Sequence, residues 1–141
     1  MPTLSGTNVA VREVVLADAT VLAELLTDTP VAEHVSPPPQ SISAFEGFIA
    51  WSQQQRADGL GVCFGIVPHG LQAAVGIIQV RALDPTSWAT VEWGFALAAA
   101  FWATGTFVDA ANLVCCRRAE EYGEASKLLD RCELERRLLF A

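Results

Sequence analysis

Basic side chains are scarce. Residues 1–114 carry only Arg12, Arg56 and Arg81; the other six of the nine Lys and Arg lie in 115–141, where six acids balance them. At a net charge of −7, the chain lacks the clustered cations that nucleic acid or an anionic membrane surface demands, and neither is expected as a partner. No apolar run reaches the roughly 20 residues that span a bilayer. The opening MPTLSGTNVAV has neither a basic n-region nor an apolar core, so no signal peptide is read there and the expected compartment is the cytoplasm. The four cysteines show no CxxC spacing, and His34 and His69 are remote from them in sequence. That pattern gives no metal site and leaves the thiols as buried or inert groups.

What is present is apolar material in a regular order. The 141 residues are 52% hydrophobic with a mean hydropathy of +0.33, enough for one domain with a core and against disorder. Val9, Val11, Val14, Val15 and Leu16 read as a first strand, and Asp18 as the cap of a short helix bearing Val21, Leu22, Leu25 and Leu26. Pro37, Pro38 and Pro39 force an extended connector. Ser41 or Ser43 then opens a longer helix through Phe45, Phe48 and Ile49, which stops at Asp58-Gly59. Residues 62–67 and 74–83 alternate around Pro68-His69-Gly70 and predict an antiparallel hairpin. After a turn at 84–87, a fourth strand occupies 90–98. The order predicts an α+β (mixed α/β) domain, a twisted, mostly antiparallel sheet flanked by helices.

The stretch TVEWGFALAAAFWATGTFVDAANLV, residues 90–114, organises the rest. Val91, Trp93, Phe95 and Leu97 alternate with smaller or polar residues, as in a strand with one buried face. Gly94 inside it suggests a bulge or a close backbone approach. Ala103, Thr104 and Gly105 turn the chain, and Thr106 with Asp109 has the spacing of a capping box for the helix that follows. A strand feeding a glycine loop and a helix N-terminus makes an anion site, because unpaired N–H groups and the positive helix end converge there. Residues 1–122 make up the body. Residues 123–141 form a charged tail for which helix propensity favours a helix, although Cys132, Leu134, Leu138 and Phe140 share the parity of a strand.

VREVVLADATVLAELLTDTPVAEHVSPPP resembles the opening strand and helices of GNAT-superfamily acetyltransferases, in particular RimJ/RimL-type protein N-acetyltransferases. VEWGFALAAAFWATGTFVDAANLV resembles their central strand–loop–helix, and the likeness covers residues 8–118. It implies acetyl-CoA as cosubstrate and no metal. Phe95, Ala96 and Leu97 would line the pantetheine arm. Trp102, Ala103, Thr104, Gly105, Thr106 and Phe107 would cradle the pyrophosphate. Glu92 matches an acidic strand position and would be the catalytic base. The loop departs from the family pattern: Trp102 stands at its first position, Phe107 at its last, and it contains no Lys or Arg. No counterpart of the family's closing strands, nor of its thiolate-protonating Tyr, is legible after residue 118. The C-terminal part of the domain therefore reads as missing or replaced.

Two functions follow from that resemblance. One is an acetyl-CoA-dependent N-acetyltransferase acting on an amine, with a protein N-terminus as a candidate; the acidic body suits a cationic acceptor. The alternative is a truncated or degenerate non-catalytic remnant that serves as an interaction or CoA-binding module, with an uncovered sheet edge open to a second copy. Glu92 has a structural reading as well, as a surface acid paired with Arg81. His34 and His69 read as surface and turn residues, and Trp93 and Trp102 as cofactor contacts or core.

Overall fold

The computed structural model describes residues 1–32 and 39–122. Within them, five strands form one sheet: β1 (Leu4–Ser5), β2 (Val9–Glu13), β3 (Gly61–Pro68), β4 (Gly76–Ala82) and β5 (Val91–Leu97). They lie in sequence order, and every neighbouring pair is antiparallel. Four helices accompany them: α1 (Ala19–Leu26), α2 (Thr29–Ala32), α3 (Ile42–Ala57) and α4 (Thr106–Tyr122). The α+β architecture expected from the sequence is the one observed, with a fifth strand added at the start. None of the described helices is long and apolar enough to cross a membrane.

The sheet is covered on both faces because β3 presents large apolar side chains in both directions. Cys63 and Val67 face α1 and α3, where they meet Leu22, Leu26, Phe45 and Ile49. Phe64 and Ile66 face the other way, toward Ala110 and Val114 of α4. Each fully buried Leu, Ile or Phe contributes about 1.5–3 kcal/mol relative to exposure. Helix ends follow local chemistry where a partner is near in sequence. The Ser41 hydroxyl accepts from the Ala44 amide at 3.1 Å and starts α3. Gly59, at φ +73°, ends it.

The first strand is shorter than the apolar run suggests. Val15 and Leu16 are exposed, and residues Leu16–Asp18 form a 3-10 turn. Asp18 does not cap α1 with its side chain. Its carboxylate is buried and receives four hydrogen bonds: two from Arg12, at 2.8 Å each, one from the Val15 amide at 2.9 Å and one from the Ala74 amide at 2.9 Å. Arg12 also donates to the Gln72 carbonyl at 3.0 Å. The pair thus joins β2, the entry to α1 and the β3–β4 loop. Burial alone would push the Asp18 carboxyl up; the hydrogen bonds from Arg12, Ala74 and Val15 outweigh it and hold the group below its ordinary value.

Removing the charge should be costly, because the partners lose a buried acceptor. Asp18→Asn is expected to lower the unfolding free energy by about 3 kcal/mol, read by urea denaturation at pH 7. The folded-state pKa is lowered, so the carboxylate's contribution is complete above its unfolded value of about 3.9 and is lost as pH falls through the lower, folded value. The parent should therefore lose this increment on acidification, and Asp18→Asn should not. A variant as stable as the parent at pH 7 would remove the pair from its structural role.

Candidate functional site

Among the described residues β5 lies at the edge of the sheet, and its register decides which backbone groups face away from β4. The Leu83 amide donates to Thr90 and the Ala98 amide to Val75, both at 3.0 Å. Between these bonded pairs the antiparallel alternation turns the amides and carbonyls of Glu92, Gly94 and Ala96 toward β4. Those of Val91, Trp93, Phe95 and Leu97 point outward. The register runs unbroken from Ala82–Val91 to Gly76–Leu97, so Gly94 makes no bulge. A Cβ there would meet nothing within 4 Å, so it is open space that the glycine leaves. The outward Leu97 carbonyl accepts the Trp102 indole N–H at 2.8 Å.

The chain then turns through a short 3-10 segment, Ala99–Phe101, into the loop. Ala103 at φ +57° and Gly105 at φ +82° both adopt the left-handed region, which suits Gly105 and strains Ala103. The Thr104 hydroxyl donates to the Phe101 carbonyl at 2.6 Å and lies 2.8 Å from the Thr106 hydroxyl. The first α-helical bond of α4 runs from the Asp109 amide to the Gly105 carbonyl at 3.0 Å. The amides of Phe107 and Val108 precede it in the first turn and are free of that ladder, as in any helix start. Phe107 does not crowd them: its ring packs on Phe95, with centroids 4.4 Å apart, within the α4-side core.

The expected capping box does not form. The Asp109 carboxylate instead accepts the Asn8 amide at 2.8 Å, across 101 residues. Glu92 and Arg81 form a cross-strand pair at 2.6 Å, and both are more than half exposed. Glu92 lies five residues from Leu97, about 17 Å along the strand, so the acid and the loop mark opposite ends of one edge. His69 holds the β1–β2 turn, through its amide to Asn8 and its ring to the Gly6 carbonyl, both at 2.9 Å. Burial, with a smaller push from Glu13, raises the Cys63 thiol to about 12, so it is no nucleophile at neutral pH. Among the described residues no group of His, Cys, Asp or Glu is placed to hold a metal ion. His34, Ser36, Pro37, Pro38 and the tail 123–141 lie outside the described residues.

The structure thus places Phe95, Leu97 and Trp102 through Phe107 around one end of β5, with the Ala96 backbone turned inward and Glu92 at the far end. Gly6 and Asn8, which touch Asp109, were not legible as site neighbours; no local spacing links them to residue 109. The arrangement offers a row of outward strand groups leading to a helix N-terminus. Such a row suits an extended polar chain that ends in an anion, and an acyl-CoA has that form.

Comparison with known proteins points the same way. The family model described as "Acetyltransferase (GNAT) domain" matches residues 8–135. Among solved structures, a probable acetyltransferase aligns with TM-score 0.72 at 23% identity, covering 85% of this chain and 68% of its own. RimL, the ribosomal L7/L12 alpha-N-protein acetyltransferase, aligns with TM-score 0.73 at 12% identity, over 85% of this chain and 66% of its own. The ribosomal-protein-S5-alanine acetyltransferase from Vibrio fischeri aligns with TM-score 0.70 at 13% identity, over 86% and 69%. At these identities the likeness is one of fold. The chain spans 60% to 68% of the length of the first solved structures it matches. No curated protein matches it. With the family model covering residues 8–135 of a sheet, edge and helix start arranged in this way, the chain belongs to the GNAT acetyltransferase family.

Proposed function

We propose that the chain transfers an acetyl group from acetyl-CoA to an amine, with a protein N-terminus as the acceptor class. The observation that carries this reading is the path of the chain from the outward groups of β5 through the Trp102–Gly105 loop directly into the first turn of α4, with Phe107 packed back on Phe95. Acetyl-CoA supplies a thioester: the C–N bond forms as the C–S bond breaks, the amine's proton passes to a base, and the sulfur takes a proton from solvent.

The chain's own residues have separable tasks in this scheme. The amides of Phe95 and Leu97 and the carbonyl of Phe95 hold the pantetheine arm against the edge, while Ala96 lines it. The loop from Trp102 to Phe107 receives the pyrophosphate on backbone N–H groups, while the Thr104 and Thr106 hydroxyls, bonded to Phe101 and to each other, brace the loop around it. Without Lys or Arg in the loop, the helix end contributes about 0.3–1 kcal/mol per unit charge, and the amides supply the rest. Trp102 fixes the loop to the strand through Leu97. Glu92, exposed on the strand beside Arg81, takes the proton that the acceptor ammonium must shed before its nitrogen can attack. The RimL and S5-alanine acetyltransferase neighbours support a protein N-terminus as acceptor.

Position 105 tests the cofactor site by charge alone. Asn and Asp tolerate the left-handed backbone alike, and a Cβ there would meet nothing within 4 Å. Calorimetry should find acetyl-CoA bound by Gly105→Asn and about two- to fivefold more weakly by Gly105→Asp. Equal affinities, or none in the parent, would take the pyrophosphate away from residues 102–107.

Position 92 tests the chemistry. Glu92→Gln should lower kcat about 10²–10⁴-fold without loss of acetyl-CoA affinity. Arg81→Ala, which breaks the same exposed pair, should leave stability within about 1 kcal/mol and retain turnover. If both variants fall equally, the pair matters only for structure. Acetyl-CoA binding with no transfer to N-terminal peptides in the parent would make the chain a CoA-holding module.

A further inference from the structure

The first turn of α4 contains its own competitor for a bound phosphate. Asp109 is the acid of that turn, and a helix N-terminus attracts its own carboxylates as it attracts external anions. Left to itself, the Asp109 side chain would be drawn to the free N–H groups of the turn. The structure holds it elsewhere. Its Oδ2 accepts the Asn8 amide at 2.8 Å. Both carboxylate oxygens lie 2.9 Å from the position a Cβ on Gly6 would occupy. Only a residue without a side chain leaves the carboxylate room there.

The receiving turn is itself fixed. The Gly6 amide donates to the Val9 carbonyl at 2.8 Å, and His69 braces it by donating its amide to the Asn8 carbonyl and setting its ring on the Gly6 carbonyl. The Asn8 amide is therefore aimed at α4 by the β1–β2 turn and by the β3–β4 loop together.

We infer that Gly6 and Asn8 are positioning residues of the cofactor site: they hold the Asp109 carboxylate on the β1–β2 turn and so keep the first turn of α4 open to phosphate. The inference rests on the acetyl-CoA reading given above. Neither residue touches the cofactor; both act through Asp109. At Asn8 the acting group is the backbone amide, so its side chain is free to vary. Gly6 is therefore the position where substitution tells.

Gly6→Ala places a methyl group where the carboxylate now sits. The far end of the Asp109 side chain then has to move off the turn. Acetyl-CoA affinity by calorimetry should fall about two- to fivefold, the equivalent of one unit charge at a helix end. The loss should shrink as ionic strength rises. In Gly6→Ala/Asp109→Ala the displaced charge is gone, and affinity should match that of Asp109→Ala alone. Affinity unchanged in Gly6→Ala would overturn the inference. So would a loss that the double variant fails to restore, because that pattern belongs to a damaged turn rather than a misplaced charge. A parent that does not bind acetyl-CoA would instead overturn the reading of the site, a different and separable failure.

Discussion

Asp18 is a charge buried among apolar neighbours, and much of the fold is arranged to neutralise it. Such a carboxylate is tolerable only when its lone pairs are filled, and Arg12, Val15 and Ala74 fill them. Those partners come from β2, the entry to α1 and the loop before β4, so one carboxylate sets three elements. The consequence extends to the functional edge. With Ala74 fixed, Val75 donates to Ile66 and accepts from Ala98. Ala98 follows β5 and opens the turn that leads to Trp102 and Gly105. The position of the candidate site thus descends, bond by bond, from a salt bridge on the opposite face of the sheet.

The proposed site would be unusual for a polyanion, because its loop contains no cation. A protein of net charge −7 repels a nucleotide at long range, so attraction has to be local. Backbone amides and a helix end can supply it, provided that nearby acids are turned away. Asp109 is turned away by Asn8, and Glu92 lies at the other end of the strand, paired with Arg81. The sequence's apolar loop residues fit the same scheme: Phe107 leaves the loop to pack on Phe95, and Trp102 spends its indole N–H on Leu97. Both aromatic side chains are tied to β5 rather than set across the loop, although Trp102 stays exposed.

Alternation and turn chemistry made the β3–β4 hairpin legible, since Phe64, Ile66 and Ile78 repeat in step around Pro68-His69-Gly70. The α3 start at Ser41 was legible for the same local reason. What escaped were partners distant in sequence. Asp18 has the spacing of a cap, but Arg12 and Ala74 claim its oxygens. Asp109 has the spacing of a capping box, but an amide 101 residues away claims it. Val15 and Leu16 extend an apolar run yet point to solvent, because the chain leaves the sheet at Glu13 to bring Asp18 under Arg12. β1 is two residues long and carries no periodic signal at all. Among the site residues, the sequence placed Phe95, Leu97 and Gly105 in one neighbourhood, but which backbone groups face outward depends on the β4–β5 register.

Amide hydrogen exchange, read residue by residue with and without saturating acetyl-CoA, tests the central claim most directly. The account predicts slowed exchange at Phe95, Leu97, Phe107 and Val108. It predicts little change at Glu92, Gly94 and Ala96, whose amides already face β4. Protection of that inward set, or of residues remote from β5 and α4 with none at Phe95 and Leu97, would contradict the account.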